Sequence, residues 1–328
     1  MNNIPDIFDS FNKIKALVIG DVMIDAYYYG SVDRISPEAP VPIVSIERKE
    51  HRLGGAANVA LNLLSLGAKP ILFGTIGNDI ESELFLDLMQ QSDLPTNGII
   101  KEENRPTTVK TRIIGNKHQV LRVDSETTKN ILAVTQDRLL QAIISELKTS
   151  QVVIFEDYNK GVLSELLITK IIAEAKAQNI PIVVDPKLEN FFAFKEVDLF
   201  KPNKKEVKEG LKTDADLNNP EEVKKAIFQL ITTLNCKNVM ITLSEQGVMI
   251  GNDKIATQIA AHHRKIVDVS GAGDTVISVA ALCVALNLDA NLTAELSNMA
   301  GGLVCEKLGV VPIDKATLYN EAMALLNG

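Results

Sequence analysis

The chain predicts an α/β fold: a doubly wound, mostly parallel sheet flanked by helices, with a small β-sheet as a lid. Three observations carry this. Four strand-length runs are almost wholly apolar: Ala16-Leu17-Val18-Ile19, Val152-Val153-Ile154-Phe155, Ile182-Val183-Val184 and Val239-Met240-Ile241-Thr242. Strands buried on both faces of a parallel sheet read this way. Helical stretches at residues 135–148, 165–178 and 220–234 lie between them, which is the alternation of a doubly wound sheet. Finally, two segments leave the pattern. Residues 28–48 carry three prolines after Ser36 and the alternation Val-Pro-Ile-Val, and residues 105–124 alternate as Lys110-Thr111-Arg112-Ile113 and Gln119-Val120-Leu121-Arg122-Val123. Both read as short strands of a lid over the site, able to exclude water and to pair two subunits. No repeat, linker or low-complexity stretch divides the chain, so residues 1–328 are expected to form one domain.

Composition narrows the function. Apolar residues make up 46% of the 328, enough for a full core. The net charge of −8 argues against a nucleic-acid partner, so any phosphorylated ligand must be held by local basic groups. The start, Met1-Asn2-Asn3-Ile4-Pro5-Asp6, lacks a basic leader and no apolar run reaches a membrane span, so a cytoplasmic protein is expected. Cys236, Cys283 and Cys305 are scattered in apolar surroundings and read as reduced core thiols; His51, His118, His262 and His263 show no metal spacing.

Sheets of this type bind ligands at the carboxyl ends of their strands, where Asp21, Asp157, Asp185 and Lys187 fall. Asp25, after the first run, suits a pair of hydroxyls or a turn cap. Leu53-Gly54-Gly55-Ala56-Ala57-Asn58 leads into a helix ending near Gly67; its glycines permit close backbone approach and Asn58 offers donor and acceptor. In Lys201-Pro202-Asn203-Lys204-Lys205-Glu206, Asn203 and Glu206 have capping-box spacing. They equally suit phosphates and a hydrated magnesium ion. Thr242-Leu243-Ser244-Glu245-Gln246-Gly247 is a strand end and turn.

The most informative stretch is Val267-Asp268-Val269-Ser270-Gly271-Ala272-Gly273-Asp274-Thr275, which opens a long apolar helical segment from Val276. Amides at a helix start attract anions, yet Asp274 would repel a bound pyrophosphate. The combination makes sense if Asp274 activates a nucleophile while the amides of Gly271, Ala272 and Gly273 hold a phosphoryl group in flight; the alternative is a plain αβ turn with Asp274 as a first-turn helix residue. Val276 stands where a dinucleotide fingerprint needs its third glycine, and no Gly-Lys-Ser/Thr follows.

In this order the segments resemble the ribokinase-like (PfkB) sugar kinases over nearly the whole chain. The resemblance makes Asp274 the base and the Gly271–Asp274 amides the anion hole. It assigns Asn203 and Glu206 to phosphates and, through water, Mg2+. Thr242, Ser244, Gly247 and Asn298 would line the ATP site, and Asp25, Gly54, Gly55, Asn58 and Asp157 would face the sugar. It also raises a possible K+ near Asp268 and Ser270. Residues 34–42, Gly20-Asp21-Val22-Met23-Ile24-Asp25, Asp157-Tyr158-Asn159-Lys160-Gly161 and Asp185-Pro186-Lys187 are similar to the kinases of lipopolysaccharide heptose synthesis, which phosphorylate D-glycero-β-D-manno-heptose 7-phosphate at O1. Met23 in place of asparagine, Ala56 in place of glycine and the missing Gly-Lys pair depart from the pentose kinases. A sugar phosphate needs cations; Lys160 and Lys187 at strand ends are the first candidates, then Lys110 and Arg112 from the lid, with Arg34 and Arg122 behind them. A homodimer through the lid is expected. The chain has no His-x-Gly-His motif, so a separate adenylyltransferase is expected in the pathway. The rival readings are a kinase of fructose, ribose or a keto-deoxy sugar acid, a non-catalytic sugar-binding regulator, and a nucleotide-binding oxidoreductase.

Overall fold

The computed structural model describes residues 3–326, so Met1, Asn2, Asn327 and Gly328, and with them the reading of the chain start, lie outside the described residues. Along the chain the strands are β1 (Lys15–Gly20), β2 (Val22–Ile35), β3 (Pro42–Gly55), β4 (Lys69–Ile76), β5 (Ile99–Lys101), β6 (Val109–Gly115), β7 (His118–Ser125), β8 (Val152–Glu156), β9 (Ile182–Asp185), β10 (Leu199–Phe200), β11 (Asn238–Thr242), β12 (Val248–Gly251) and β13 (Ala256–Ile259). Nine of them form the main sheet in the order β13-β12-β11-β10-β9-β8-β1-β4-β5. It is parallel from β11 to β5, and β12 and β13 add an antiparallel edge.

The continuous apolar runs are explained by layers on both faces. Side chains alternate along a strand, so Ala16 and Val18 join one buried cluster while Leu17 and Ile19 join the other. The first cluster packs against α1 (Ile4–Phe11), α2 (Ala56–Ser65), α3 (Ile80–Gln91), and three later helices, α8 (Ala272–Ala285), α9 (Ala290–Val304) and α10 (Lys315–Leu326). The second takes α4 (Ala133–Leu147), α5 (Glu165–Ala177), α6 (Lys204–Leu211) and α7 (Pro220–Leu234). Each side chain of this kind contributes about 1.5–3 kcal/mol by leaving water. Helix starts are marked as the sequence implies: Asp79, Ser164, Asn219 and Asp289 each accept a first-turn amide hydrogen bond.

The lid is a four-stranded sheet in the order β3-β2-β6-β7. Its first hairpin is longer than the expected 28–48. Pairing starts at Val22 opposite Gly55, because Val22, Ile24 and Leu53 are buried in the core and the sheet is rooted there. Asp25 therefore sits within strand β2 and is no turn cap. Helix α8 starts at Ala272, ahead of the apolar segment from Val276. Gly271, at φ 78°, turns the chain into the helix, so Gly273 and Asp274 belong to its first turn.

Candidate active site

Asp274 lies buried in the first turn of α8. Its Oδ2 accepts a 2.7 Å hydrogen bond from Asn58 Nδ2, and its Oδ1 accepts a 2.8 Å bond from the Tyr158 hydroxyl. Asn58 is held at the start of α2, directly after β3; Tyr158 follows the end of β8 by two residues. Burial pushes the Asp274 carboxyl up to about 6, against the pull of the Asn58 and Tyr158 hydrogen bonds; the charge of Asp185 adds to the rise and that of Lys201 opposes it. Burial and the neighbouring charges of Asp274, Glu156 and Asp185 push the Tyr158 phenol well above its ordinary value, so it stays a donor.

Beside this carboxylate the amides of Gly273 and Asp274 lack helical acceptors, while that of Ala272 donates to Val269 O at 3.3 Å. The space next to Gly273 is open: an added Cβ would meet nothing nearer than Asp185 Oδ2 and Lys201 Nζ, both at 3.8 Å. Lys201 Nζ stands 2.7 Å from Asp185 Oδ2, and both side chains are nearly inaccessible. Burial alone would lower the Lys201 pKa, but Asp185, Glu206 and Glu156 outweigh it and raise it, so the ammonium persists. The geometry therefore offers amides and a fixed cation around one empty cradle, which suits a transferring phosphoryl group.

Glu206 takes the structural one of the two readings that its spacing left open. It completes the capping box of α6, its Oε2 accepting from Asn203 N at 2.8 Å while Asn203 Oδ1 accepts from Glu206 N at 2.9 Å. Its Oε1 pairs with Lys187. Lys187 also lies over the Tyr158 ring, 5.3 Å from the centroid, so this lysine is held between Glu206 and Tyr158 and pairs with no lid residue. Glu156, at the end of β8, is buried with its Oε2 unpartnered, and burial together with Asp185 and Asp274 raises its pKa well above the usual range. No three carboxylate, histidine or thiol groups converge as a ready metal site among the described residues. Glu156 Oε2 is a buried carboxylate oxygen without a partner, beside the charges of Asp185 and Asp274, and oxygen is the ligand that a hydrated magnesium ion takes.

The expected nucleotide residues cluster on the neighbouring strand ends. Thr242 bridges Asn203, and Gly247, at φ 86°, closes the turn by donating to Ser244 O at 3.0 Å. Asn298 reaches across from α9 to donate to Ala260 O at 2.8 Å.

On the opposite side, period-two alternation and register put Asp25, Lys110, Arg112 and Asp124 on one face of the lid. Arg112 Nη1 contacts Asp25 Oδ1 at 2.5 Å, so the two are brought together as an ion pair. Gly54 lies against Asp25, where any Cβ would collide with its Oδ2; Gly55 adopts φ 60° and a Cβ there would meet Asp21 O at 2.5 Å. Lys160 Nζ is 2.7 Å from Glu126 Oε1 and Lys110 Nζ is 3.5 Å from Glu126 Oε2. Two expectations fit the geometry less well. Both oxygens of Asp157 are taken by Asn159 N (2.8 Å) and Asn190 Nδ2 (3.0 Å), so it braces its own loop. Asp268 Oδ1 accepts from Ser270 N and Oγ at 2.9 and 2.8 Å, and Oδ2 from Gly309 N at 2.9 Å. This carboxylate staples two loops and offers no free oxygen to a K+ ion. Burial would raise its pKa, but these bonds and the Arg112 charge hold it below the ordinary value.

Sequence reasoning gave no role to Tyr158, Lys201, Glu156 or Glu126. Tyr158 lay inside a quoted motif, one residue past a strand-end carboxylate, and could have been found. Glu126 could not, because its partner Lys160 is 34 residues away and only the fold joins them.

Comparison with known proteins agrees with this arrangement. Residues 13–316 match the model of the pfkB family carbohydrate kinases. The bifunctional protein HldE of Methylobacillus flagellatus is 41% identical over 311 residues, covering 94% of this chain and 63% of the relative. The chain thus spans about three-fifths of the length of such relatives. The D-beta-D-heptose 7-phosphate kinase of Bordetella bronchiseptica is 36% identical, with 94% of this chain and 96% of the relative covered. Among solved structures, Escherichia coli phosphofructokinase-2 in complex with fructose-6-phosphate superposes with a TM-score of 0.76 at 19% identity, covering 94% of this chain and 98% of that one. Arabidopsis thaliana ribokinase complexed with ribose and ATP gives 0.73 at 15%, covering 94% and 98%. These two share the fold. With the family model matched over most of its length, and the glycine turn, buried carboxylate and lid all in place, the chain belongs to the pfkB family of carbohydrate kinases.

Proposed function

We propose that the protein transfers the γ-phosphate of ATP to O1 of D-glycero-β-D-manno-heptose 7-phosphate, giving the 1,7-bisphosphate. The observation that carries this is Asp274, buried, held by Asn58 and Tyr158, and set in the same helix turn as the anion cradle. The names of the relatives support the heptose phosphate, and so do the two lysines gathered under the lid. Fructose, ribose and keto-deoxy acids remain the alternative substrates. A silent regulator is disfavoured, since a sensor has no use for a carboxylate tuned to about 6.

In this reading Asp274 takes the proton from the attacking hydroxyl as the bond to phosphorus forms. Asn58 and Tyr158 keep its carboxylate oriented. The α8 amides and Lys201 stabilise the charge on the transferring group, and this placement of charge is the larger share of phosphoryl-transfer catalysis. Magnesium, when bound with ATP, neutralises phosphate charge; Glu206, Asp185 and Glu156 would hold it, largely through water. Asn203, Thr242, Ser244, Gly247 and Asn298 would line the nucleotide, Asp25, Gly54 and Gly55 the sugar, and the lid would exclude water. We further propose a single domain, a homodimer through the lid and a cytoplasmic location. Among the described residues no helix is long and apolar enough to cross a membrane.

The test is an ADP-release assay with ATP, magnesium and a sugar panel, run beside Asp274→Asn. Heptose 7-phosphate should be turned over and the variant should lose about a hundredfold or more. Turnover of fructose or ribose alone would leave a kinase and sink the heptose assignment.

A further inference from the structure

We propose that Glu126 is a built-in occupant of the subsite for the sugar's distal phosphate, displaced when a phosphorylated sugar binds. The inference rests on the reading of Lys110 and Lys160 as ligands of that phosphate, and it gives Glu126 a part in specificity.

Glu126 lies between the two ammonium groups, one from the lid and one from the loop after β8. It fits them unevenly. Oε1 accepts from Lys160 Nζ at 2.7 Å, but Oε2 stands 3.5 Å from Lys110 Nζ and is buried without any hydrogen bond. A carboxylate has two oxygens on one short fork. A phosphate monoester dianion has three terminal oxygens and a second negative charge, so it can reach both lysines at once. The remaining nearby carboxylate, Asp124, is 4.0 Å from Lys110 and is already held by Arg122 Nε at 3.0 Å. It does not compete for the gap.

The surroundings let Glu126 leave. It is the first residue beyond β7, in an irregular stretch before α4, and its only hydrogen bond among the described residues is the one from Lys160. The walls are fixed: Arg105 donates to Lys129 O at 2.9 Å and also to Lys160 O. A movable carboxylate thus sits in a rigid frame. The three charged side chains are half-buried, at 13%, 17% and 24% exposed for Lys160, Lys110 and Glu126, so solvent screens their attraction only in part.

The consequence is discrimination between a tethered and a free phosphate. A sugar already seated at its reacting end presents its phosphate at high effective concentration and can expel Glu126. Inorganic phosphate gains no such help and must compete with a carboxylate that never diffuses away.

The experiment uses the full chain. Inorganic phosphate binding is measured by calorimetry for the wild type, Glu126→Gln and Glu126→Ala, and for Glu126→Gln combined with Lys160→Met; thermal melts confirm that each is folded. Kinetics on heptose 7-phosphate run in parallel. Phosphate should bind about three- to tenfold tighter in both single variants, the scale of one lost ion-pair competitor. The double variant should lose the gain, and KM for the sugar phosphate should fall in Glu126→Gln. Unchanged or weaker phosphate binding in the single variants would overturn the proposal, as would a raised KM, which would mean that Glu126 contacts the sugar itself. Tighter phosphate binding without turnover of heptose 7-phosphate by any of the proteins would remove the substrate reading and leave Glu126 as the occupant of an anion site.

Discussion

Asp274 is tuned by opposing effects, of which burial is the largest. Burial raises its pKa, and the hydrogen bonds from Asn58 and Tyr158 bring it back to about 6. A base works in its ionised form, so log kcat/KM should fall with decreasing pH below about 6 and level off above it. Tyr158→Phe removes a donor that favours the carboxylate. Its acidic limb should move upward by about half to one pH unit, because hydrogen bonding to the charged form is what it loses. A limb that stayed in place would mean that Tyr158 does not set the base. Asp274 was legible in the sequence because a carboxylate inside an anion-binding turn is a local contradiction, and the other motifs in the same order gave it a context. The aid from Tyr158 was not, since two residues 116 apart meet only through the order of β8 and α8.

Gly271 decides the geometry at the scale of the element. Its φ of 78° aims α8 at the cradle, and a Cβ there would come within 2.9 Å of Asn58 Nδ2. Gly271→Ala should cost about 1–2 kcal/mol in denaturant unfolding through the left-handed backbone. It should also lower kcat by pushing Asn58 off Asp274. Loss of stability with intact kcat would separate the two effects and remove Asn58 from the catalytic account. The strands were readable because burial on both faces leaves unbroken apolar runs such as residues 152–155, whose side chains divide between two core clusters. The inner half of the lid was not. Val22, Ile24 and Leu53 look like core residues, which they are, and nothing in their spacing says that the same strands go on to become the lid.

Over the whole molecule, the lid exposes more apolar surface than one copy needs. Leu121 and Val123 on β7 are 56% and 50% exposed, and Ile35, Val41 and Ile46 are exposed on the first hairpin. Exposed apolar surface of this kind suits the proposed interface. Leu121→Glu with Val123→Glu should convert the proposed dimer to a monomer by light scattering. A wild-type monomer would refute the lid dimer outright. The nucleotide and sugar halves of the site, by contrast, follow from chain topology, since β8, β9 and β11 all end on the same edge of the sheet.

The root of the lid has a mechanical consequence. A single residue, Asp21, separates β1 from β2, and its carboxylate accepts the amides of Tyr158, Lys160 and Val162 at 2.9, 3.0 and 3.1 Å. At the other edge β3 runs straight into α2 with no residue between. There is no slack at either place, so the lid is a cantilever and not a hinged door. Its deflection grows with distance from the clamp, and the irregular pairing at Tyr29/Gly30 and Val32/Arg34 puts the compliance in the outer half. Asp25, close to the clamp, should therefore hold its position, and any bending should fall at the tip.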